Sequence, residues 1–131
     1  MKKAEETNQV VEINFRGQYL HITHPDNFVL LPEELDDLWQ NLANACKTHD
    51  CRKVLNEGNL DFSKIRAYDS YSAGSHAGEI RGLRMACLFP NYKPDEQSEF
   101  FKTVAANRGA TIELFTDRDA ALKWLDVDES Q

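Results

Sequence analysis

The sequence predicts an α/β domain: one mixed, mostly parallel β-sheet that begins with an antiparallel hairpin and is covered by about four helices. Apolar and polar residues alternate over residues 10–16, which is typical of a half-buried strand. From residue 32 onward, segments with helical periodicity alternate with short apolar segments, and this indicates βαβ units. The length of 131 residues, with 41% hydrophobic and 28% charged residues, is typical of a single globular domain.

The first two strands are predicted to form the hairpin. Val11, Ile13 and Phe15 share one face of the first strand. Gly17 supplies the positive φ of a tight turn, and residues 18–22 resume the extended pattern. The N-terminal edge of the sheet is therefore expected to be antiparallel.

The first helix is predicted from Pro32 to about His49. Pro32 suits the first position of a helix, because proline has no N–H to leave unpaired there. Apolar residues recur at helical spacing and share one face: Leu31, Leu35, Leu38, Leu42 and Cys46. A short strand is predicted at residues 53–55, followed by a loop at residues 56–64.

The second helix is predicted over residues 68–80, where Ala73, Ala77 and Ile80 keep a helical spacing. Gly74 and Gly78 form a small face on it, which we expect to pack closely against the domain's own sheet. The alternative is a smooth surface for a partner protein or a neighbouring subunit. A central strand is predicted next, at residues 83–89.

The last third is predicted to hold a helix at residues 94–108, a strand at 110–115 and a final helix capped by Thr116. The apolar stripe of the first of these helices consists of Phe100, Phe101, Val104 and Ala105. The buried face of the final helix consists of Ala121, Trp124 and Leu125. Residues 10–125 therefore form the predicted domain.

Charge and hydropathy exclude several classes of protein. Fifteen basic residues against 22 acidic ones give a net charge of −7, which disfavours binding to nucleic acid or to an anionic lipid surface. No apolar stretch is long enough to span a membrane, and the N-terminus lacks the apolar core of a signal peptide. Residues 1–9 and the acidic tail at 126–131 are expected to fray. A cytoplasmic location is expected, since the three cysteines suit free thiols in a reducing compartment.

The C-terminal segment carries a resemblance to a known family. A strand ending in Phe115-Thr116-Asp117 leads into a helix ending in Ala121-Leu122-Lys123-Trp124-Leu125. With the hairpin and the four helices, this resembles the SpoIIAA-like (STAS) domains, in particular their uncharacterised bacterial, lipid-transfer-like branch. The resemblance covers residues 10–125 and implies a non-enzymatic regulatory or protein-interaction module in bacterial signal transduction.

The same resemblance points to a serine at the start of the second helix. In the anti-sigma-factor antagonists of this family, a partner kinase phosphorylates the first serine of an Asp-Ser-Ser-Gly turn. Asp69-Ser70-Tyr71-Ser72 stands at the corresponding place, so Ser70 would be modified and Ser72 is the second candidate. A helix N-terminus suits a phosphate because its N–H groups are unpaired. The alternative is that Asp69 or Ser70 serves only as the N-cap.

The functional surface is expected around this second helix. Residues 64–84 hold four basic and two acidic side chains, a local charge of +2 within an acidic chain. The predicted partner or ligand interface consists of Tyr68, Asp69, Tyr71, Gly74, His76, Gly78 and Arg81. A protein partner or self-association as a homodimer would use this surface.

Two groups of potentially reactive residues are interpreted as structural. Cys46, His49, Asp50 and Cys51 are metal-ligand types at short spacing, but a second pair of ligands is missing, so no metal site is predicted. Cys87 stands in an apolar strand and is expected to pack in the core. No cofactor or catalytic residue is predicted, and the chain is expected not to be an enzyme. The alternative function is a carrier of a small apolar ligand, held in a cleft between the Phe100–Phe101 helix and the Gly74–Gly78 helix.

Overall fold

Five strands form one mixed sheet in the computed structural model, which describes residues 11–24, 32–58, 67–90, 93 and 96–127, with the backbone alone at 32–36, 67–70 and 97. The strands are β1 (Glu12–Phe15), β2 (Leu20–Thr23), β3 (Lys53–Glu57), β4 (Arg84–Leu88) and β5 (Thr111–Phe115). The helices are α1 (Pro32–His49), α2 (Ala67–Gly78), α3 (Glu96–Asn107) and α4 (Arg118–Leu125).

The order of the strands across the sheet is the same as their order in the sequence. β1 pairs antiparallel with β2, and each later strand joins its predecessor in parallel. Crossovers of one hand then place the connecting helices on one face. The main core accordingly joins α1, α2 and α3 to residues such as Leu20, Val54 and Met85, while α4 covers the other face over Leu55 and Leu88. The predicted fold class is confirmed.

Most element boundaries agree with the sequence predictions, and α1 has the predicted limits. The strand predicted at residues 53–55 continues through Asn56 and Glu57, which the sequence placed in a loop. The predicted cap of the last helix is wrong by one residue. Asp117 is the N-cap, and its Oδ2 accepts a hydrogen bond from the Ala120 N–H at 2.9 Å.

Two aromatic residues assigned to buried faces are not fully buried. Phe100 is 38% exposed, so the stripe of α3 rests on Phe101, Val104 and Ala105. Trp124 is half-buried at the edge of the second core cluster, and Arg84 Cζ lies 3.9 Å from its ring centroid.

Close packing of α2 onto α3 uses the two glycines of α2. A Cβ atom at Gly74 would lie 2.8 Å from Val104 Cβ and 3.0 Å from the Phe101 carbonyl oxygen, and one at Gly78 would clash with Arg108 Cβ. The predicted close approach is present, but its partner is α3 and not the sheet. The cleft expected between these two helices is therefore closed, and no apolar ligand lies there without separating them.

The last helix is anchored to the sheet through its carbonyl groups. Arg84 Nη2 donates to the Trp124 carbonyl at 2.6 Å, and Lys53 Nζ donates to the Asp126 carbonyl at 3.1 Å. Asp126 ends the helix with a left-handed backbone, φ 61° and ψ 52°. None of the described helices is both long and apolar enough to cross a membrane.

The substitution Gly74→Ala is expected to lower the free energy of unfolding by about 1–3 kcal/mol, because the added methyl group overpacks the α2–α3 contact. An unconstrained helical glycine would respond in the opposite direction, since alanine is the better helix former. Chemical denaturation measures the change. The control is Ser75→Ala, which adds no atom and removes a buried hydroxyl that has no hydrogen-bond partner among the described residues, so it should not lower stability. A more stable Gly74→Ala variant would contradict the close packing.

The substitution Asp126→Gly is expected to raise the free energy of unfolding by about 0.5–1 kcal/mol, because glycine adopts the left-handed conformation without strain. Asp126→Ala removes the same charge but keeps a Cβ atom, so it should not show the gain. Thermal unfolding of the three proteins compares them. Equal increases in stability for Asp126→Gly and Asp126→Ala would show that the loss of the negative charge causes the effect, and not the backbone conformation.

Candidate functional site

The helix predicted to carry the functional surface begins earlier than the sequence indicated. α2 starts at Ala67, so Asp69 and Ser70 lie inside its first turn and neither is the N-cap. That alternative is wrong, because the chain enters the helix two residues before Asp69. The side chains of Tyr68, Asp69 and Ser70 lie outside the described residues.

Tyr71 of α2 is exposed, with 43% of its surface accessible. Its hydroxyl oxygen accepts a hydrogen bond from Arg108 Nη2 at 3.0 Å, and the guanidinium carbon lies 5.7 Å from the ring centroid. Arg108 follows α3, so the pair bridges the two helices that the glycines hold together. An aromatic ring and a guanidinium are thereby presented side by side at the surface.

The other predicted interface residues point in different directions. Gly74 and Gly78 face α3. His76 faces α1, where its ring stacks on Trp39 with centroids 6.5 Å apart and an interplanar angle of 24°. Arg81 is exposed beyond the helix end. These described residues therefore do not form one continuous face, and Tyr71 is the exposed member nearest the first turn.

Ser72 is half-buried and takes part in the internal bonding of α2. Its carbonyl oxygen lies 2.7 Å from His76 Nδ1. Because a carbonyl can only accept, Nδ1 carries the proton, and this bond fixes both the tautomer and the ring orientation of His76.

A partly buried polar network that the sequence did not predict joins β2, β3 and α4. His21 Nε2 lies 2.8 Å from Glu57 Oε1, and Arg118 Nη1 donates to the same oxygen at 2.9 Å. Burial raises the pKa of Glu57, but the hydrogen bonds and charges of His21 and Arg118 outweigh it and lower the pKa below its ordinary value. Glu57 is therefore held as a carboxylate.

The tautomer of His21 follows from its two neighbours. Arg16 Nη2 lies 3.3 Å from His21 Nδ1, and a guanidinium can only donate, so Nδ1 is the acceptor. The proton is then on Nε2, which donates to Glu57. His21 is 6% exposed, and both of its nitrogens are engaged. This geometry suits a fixed structural link and not a proton-transfer group.

A second polar chain lies on the opposite face at the same end of the sheet. His24 Nε2 donates to Asn56 Oδ1 at 2.6 Å, and Asn56 Nδ2 lies 3.8 Å from Cys87 Sγ. Burial lowers the pKa of His24, opposed by its hydrogen bond to Asn56. A Cβ atom at Gly58 would lie 3.0 Å from His24 Cβ, so the absence of a side chain at Gly58 makes room for the imidazole.

Cys46 and Cys87 are buried in the core, as expected from the sequence. Cys46 and Cys87 are each 1% exposed, and burial raises their pKa values to about 11 and about 12. Thiols with such pKa values are poor nucleophiles at neutral pH. His49, from the same short-spaced group as Cys46, stacks on Phe15 with centroids 4.4 Å apart. Among the described residues, no three metal-ligand side chains come together.

One signal in the sequence could have revealed the missed network. In parallel sheets, polar residues at the carboxyl ends of neighbouring strands meet at one edge. Asn56 and Glu57 end β3, and Thr23 of β2 pairs with Glu57 in register. The sequence prediction placed Asn56 and Glu57 in a loop, because the apolar pair before them consists of Val54 and Leu55 alone. The polar end of β3 was therefore not recognised as part of the strand.

The substitution Glu57→Gln is expected to lower the free energy of unfolding at neutral pH by about 1–2 kcal/mol, because His21 and Arg118 lose a charged acceptor that is partly exposed. Since the folded pKa of Glu57 lies below its ordinary value of 4.5, its contribution is complete above that pH. As the pH falls through the folded pKa, the contribution disappears.

Denaturation curves between neutral and strongly acidic pH test this. The Glu57→Gln protein should lose less stability below pH 4.5 than the parent protein. Glu113→Gln is the control, since Glu113 pairs with Lys102 on another part of the sheet. Parallel pH curves for the parent and Glu57→Gln proteins would show that the network does not hold this carboxylate ionised.

Searches against protein-family models, curated proteins and solved structures found no match for this chain. The resemblance to STAS domains therefore stays a prediction from the sequence.

Proposed function

We propose that the chain is a non-enzymatic regulatory module of STAS type that binds a protein through the start of α2. The observation that carries this proposal is the exposed pair of Tyr71 and Arg108 beside the first turn of α2. Tyrosine and arginine are enriched among the residues that dominate binding energy at protein interfaces. A bacterial, cytoplasmic signalling role is proposed with it, in keeping with three free cysteines.

Rigidity supports the use of this surface for binding. The contacts of Gly74 and Gly78 hold α2 against α3, and Arg108 fixes the phenol of Tyr71 before any partner arrives. A surface that is already ordered loses less side-chain entropy on association. The pair would therefore contribute more to affinity than a mobile tyrosine.

The position of Ser70 favours its phosphorylation as the switch that controls partner binding. Ser70 lies in the first turn of α2, where unpaired N–H groups and the helix dipole favour a doubly negative group. Ser72 lies further into the helix and is half-buried, so it is the poorer substrate. A phosphate on Ser70 would change the charge beside the Tyr71–Arg108 pair and thereby alter partner binding.

Site-specific photo-crosslinking in cells tests the proposal. A benzophenone amino acid at Asn107, the exposed neighbour of Arg108, leaves the Tyr71–Arg108 pair in place and should yield a discrete adduct with a protein. Ser70→Asp should reduce the yield, while Ser70→Ala should not. An adduct of twice the 15.0 kDa chain mass would identify the partner as a second copy. The matched control places the benzophenone at Lys123, which is exposed on α4 across the sheet.

The proposal fails if position 107 gives no adduct, or if positions 107 and 123 give the same adducts. If Ser70→Asp leaves the yield of the adduct unchanged, Ser70 is not a switch, and the proposed interface is retained. The apolar carrier has no comparable support, since the expected cleft between α2 and α3 is closed.

A further inference from the structure

The two edges of the sheet differ in how their outward backbone groups are covered. β5 forms one edge, where Thr111 and Phe115 bond to β4 and Leu114 directs its backbone outward. The outward N–H of Leu114 donates to Glu113 Oε2 at 3.3 Å, and Lys102 Nζ lies 3.0 Å from the same oxygen. A charged pair therefore covers this edge, and charges at an edge discourage the addition of another strand.

β1 forms the other edge, and its outward backbone groups face no strand that the structure describes. The Arg16 N–H donates to the Tyr19 carbonyl at 2.8 Å, so Arg16 bonds toward β2. Bonded pairs alternate along an antiparallel ladder, so Ile13 and Phe15 direct their N–H and C=O groups away from β2. These groups form a short template on which a further strand can pair.

The side chains of β1 leave part of an apolar face exposed at this edge. Val11 and Ile13 are half-buried against the main core, while Phe15, on the same face, is 41% exposed. The Phe15 ring stacks on His49 with centroids 4.4 Å apart, and this contact holds the ring in place. A strand laid along the edge of β1 would cover the exposed part of this face.

We propose that β1 pairs antiparallel with β1 of a second copy, and that the two sheets join around a two-fold axis at Asn14. Ile13 of each copy then exchanges its outward backbone bonds with Phe15 of the other. Glu12 of each copy lies directly opposite Arg16 of the other, and the symmetry makes this pair twice. Opposite charges that face each other across two antiparallel strands stabilise the pairing.

Charge complementarity favours a second copy and this register. Glu12 is exposed and makes no ion pair with any described residue. Arg16 is exposed, and its Nη2 lies 3.3 Å from His21 Nδ1, which leaves other guanidinium N–H groups for a carboxylate. A register shifted by two residues would place Glu12 or Arg16 opposite Asn14, and the ion pairs would be lost. The two charges of one strand therefore specify their own partner.

Charge variants, measured by sedimentation equilibrium, test the proposal. The parent protein should form a species of twice the 15.0 kDa chain mass. Its Kd should be about 10–100 μM, because the interface is small. Glu12→Arg and Arg16→Glu should each weaken self-association at least about tenfold, since each places like charges opposite each other. An equimolar mixture of the two variants should associate again, because every facing pair in the mixed dimer then has opposite charges.

The control for net charge is Glu79→Arg, which makes the same change as Glu12→Arg at an exposed position beyond the end of α2. It should leave self-association unchanged. Circular dichroism confirms that each variant is folded. This edge lies at the opposite end of the sheet from β5 and α3, so the result does not depend on the partner surface at Tyr71.

Disulfide crosslinking tests the register. Asn14 lies opposite its own copy on the two-fold axis, so Asn14→Cys should form a disulfide-linked dimer under mild oxidation. Glu12→Cys should not, and the parent protein gives the background from its own free cysteines. The proposal is overturned if the parent protein is monomeric at about 1 mM. It is equally overturned if the mixed charge variants associate no better than each alone, or if Glu12→Cys crosslinks as readily as Asn14→Cys.

Discussion

The close approach of α2 to α3 determines how the helical layer of this protein is arranged. Gly74 and Gly78 leave no room for a Cβ atom, so the two helix backbones meet at van der Waals distance. This contact brings Arg108 to Tyr71 and rigidifies the surface proposed for a partner.

β3 connects the two faces of the sheet through consecutive residues. Side chains alternate along a strand, so Asn56 and Glu57 point to opposite faces. Asn56 holds His24 on the side of α1–α3, while Glu57 holds His21 and Arg118 on the side of α4. Groups on both faces of the sheet are therefore hydrogen-bonded to the end of β3. Loss of the Asn56 or Glu57 side chain would leave its partners without that hydrogen bond.

The sequence predicted the elements whose signals are local. The limits of α1 followed from Pro32 and a regular apolar stripe, and the alternation of helices and strands indicated the sheet. The polar network could not be read in the same way, because Arg118 meets Glu57 across 61 positions of sequence. The sequence also did not indicate which element the glycine face of α2 contacts, since small residues predict a close approach but do not identify its partner.

The agreement between strand order and chain order has a consequence for how the protein is made. Each new parallel strand adds to a sheet that the ribosome has already delivered, so no strand has to insert between two earlier ones. The second face is different, because Tyr19, Leu55 and Leu88 are covered by α4, which follows all five strands in the sequence. Until α4 is synthesised, the apolar side chains on this face of the sheet lack their cover.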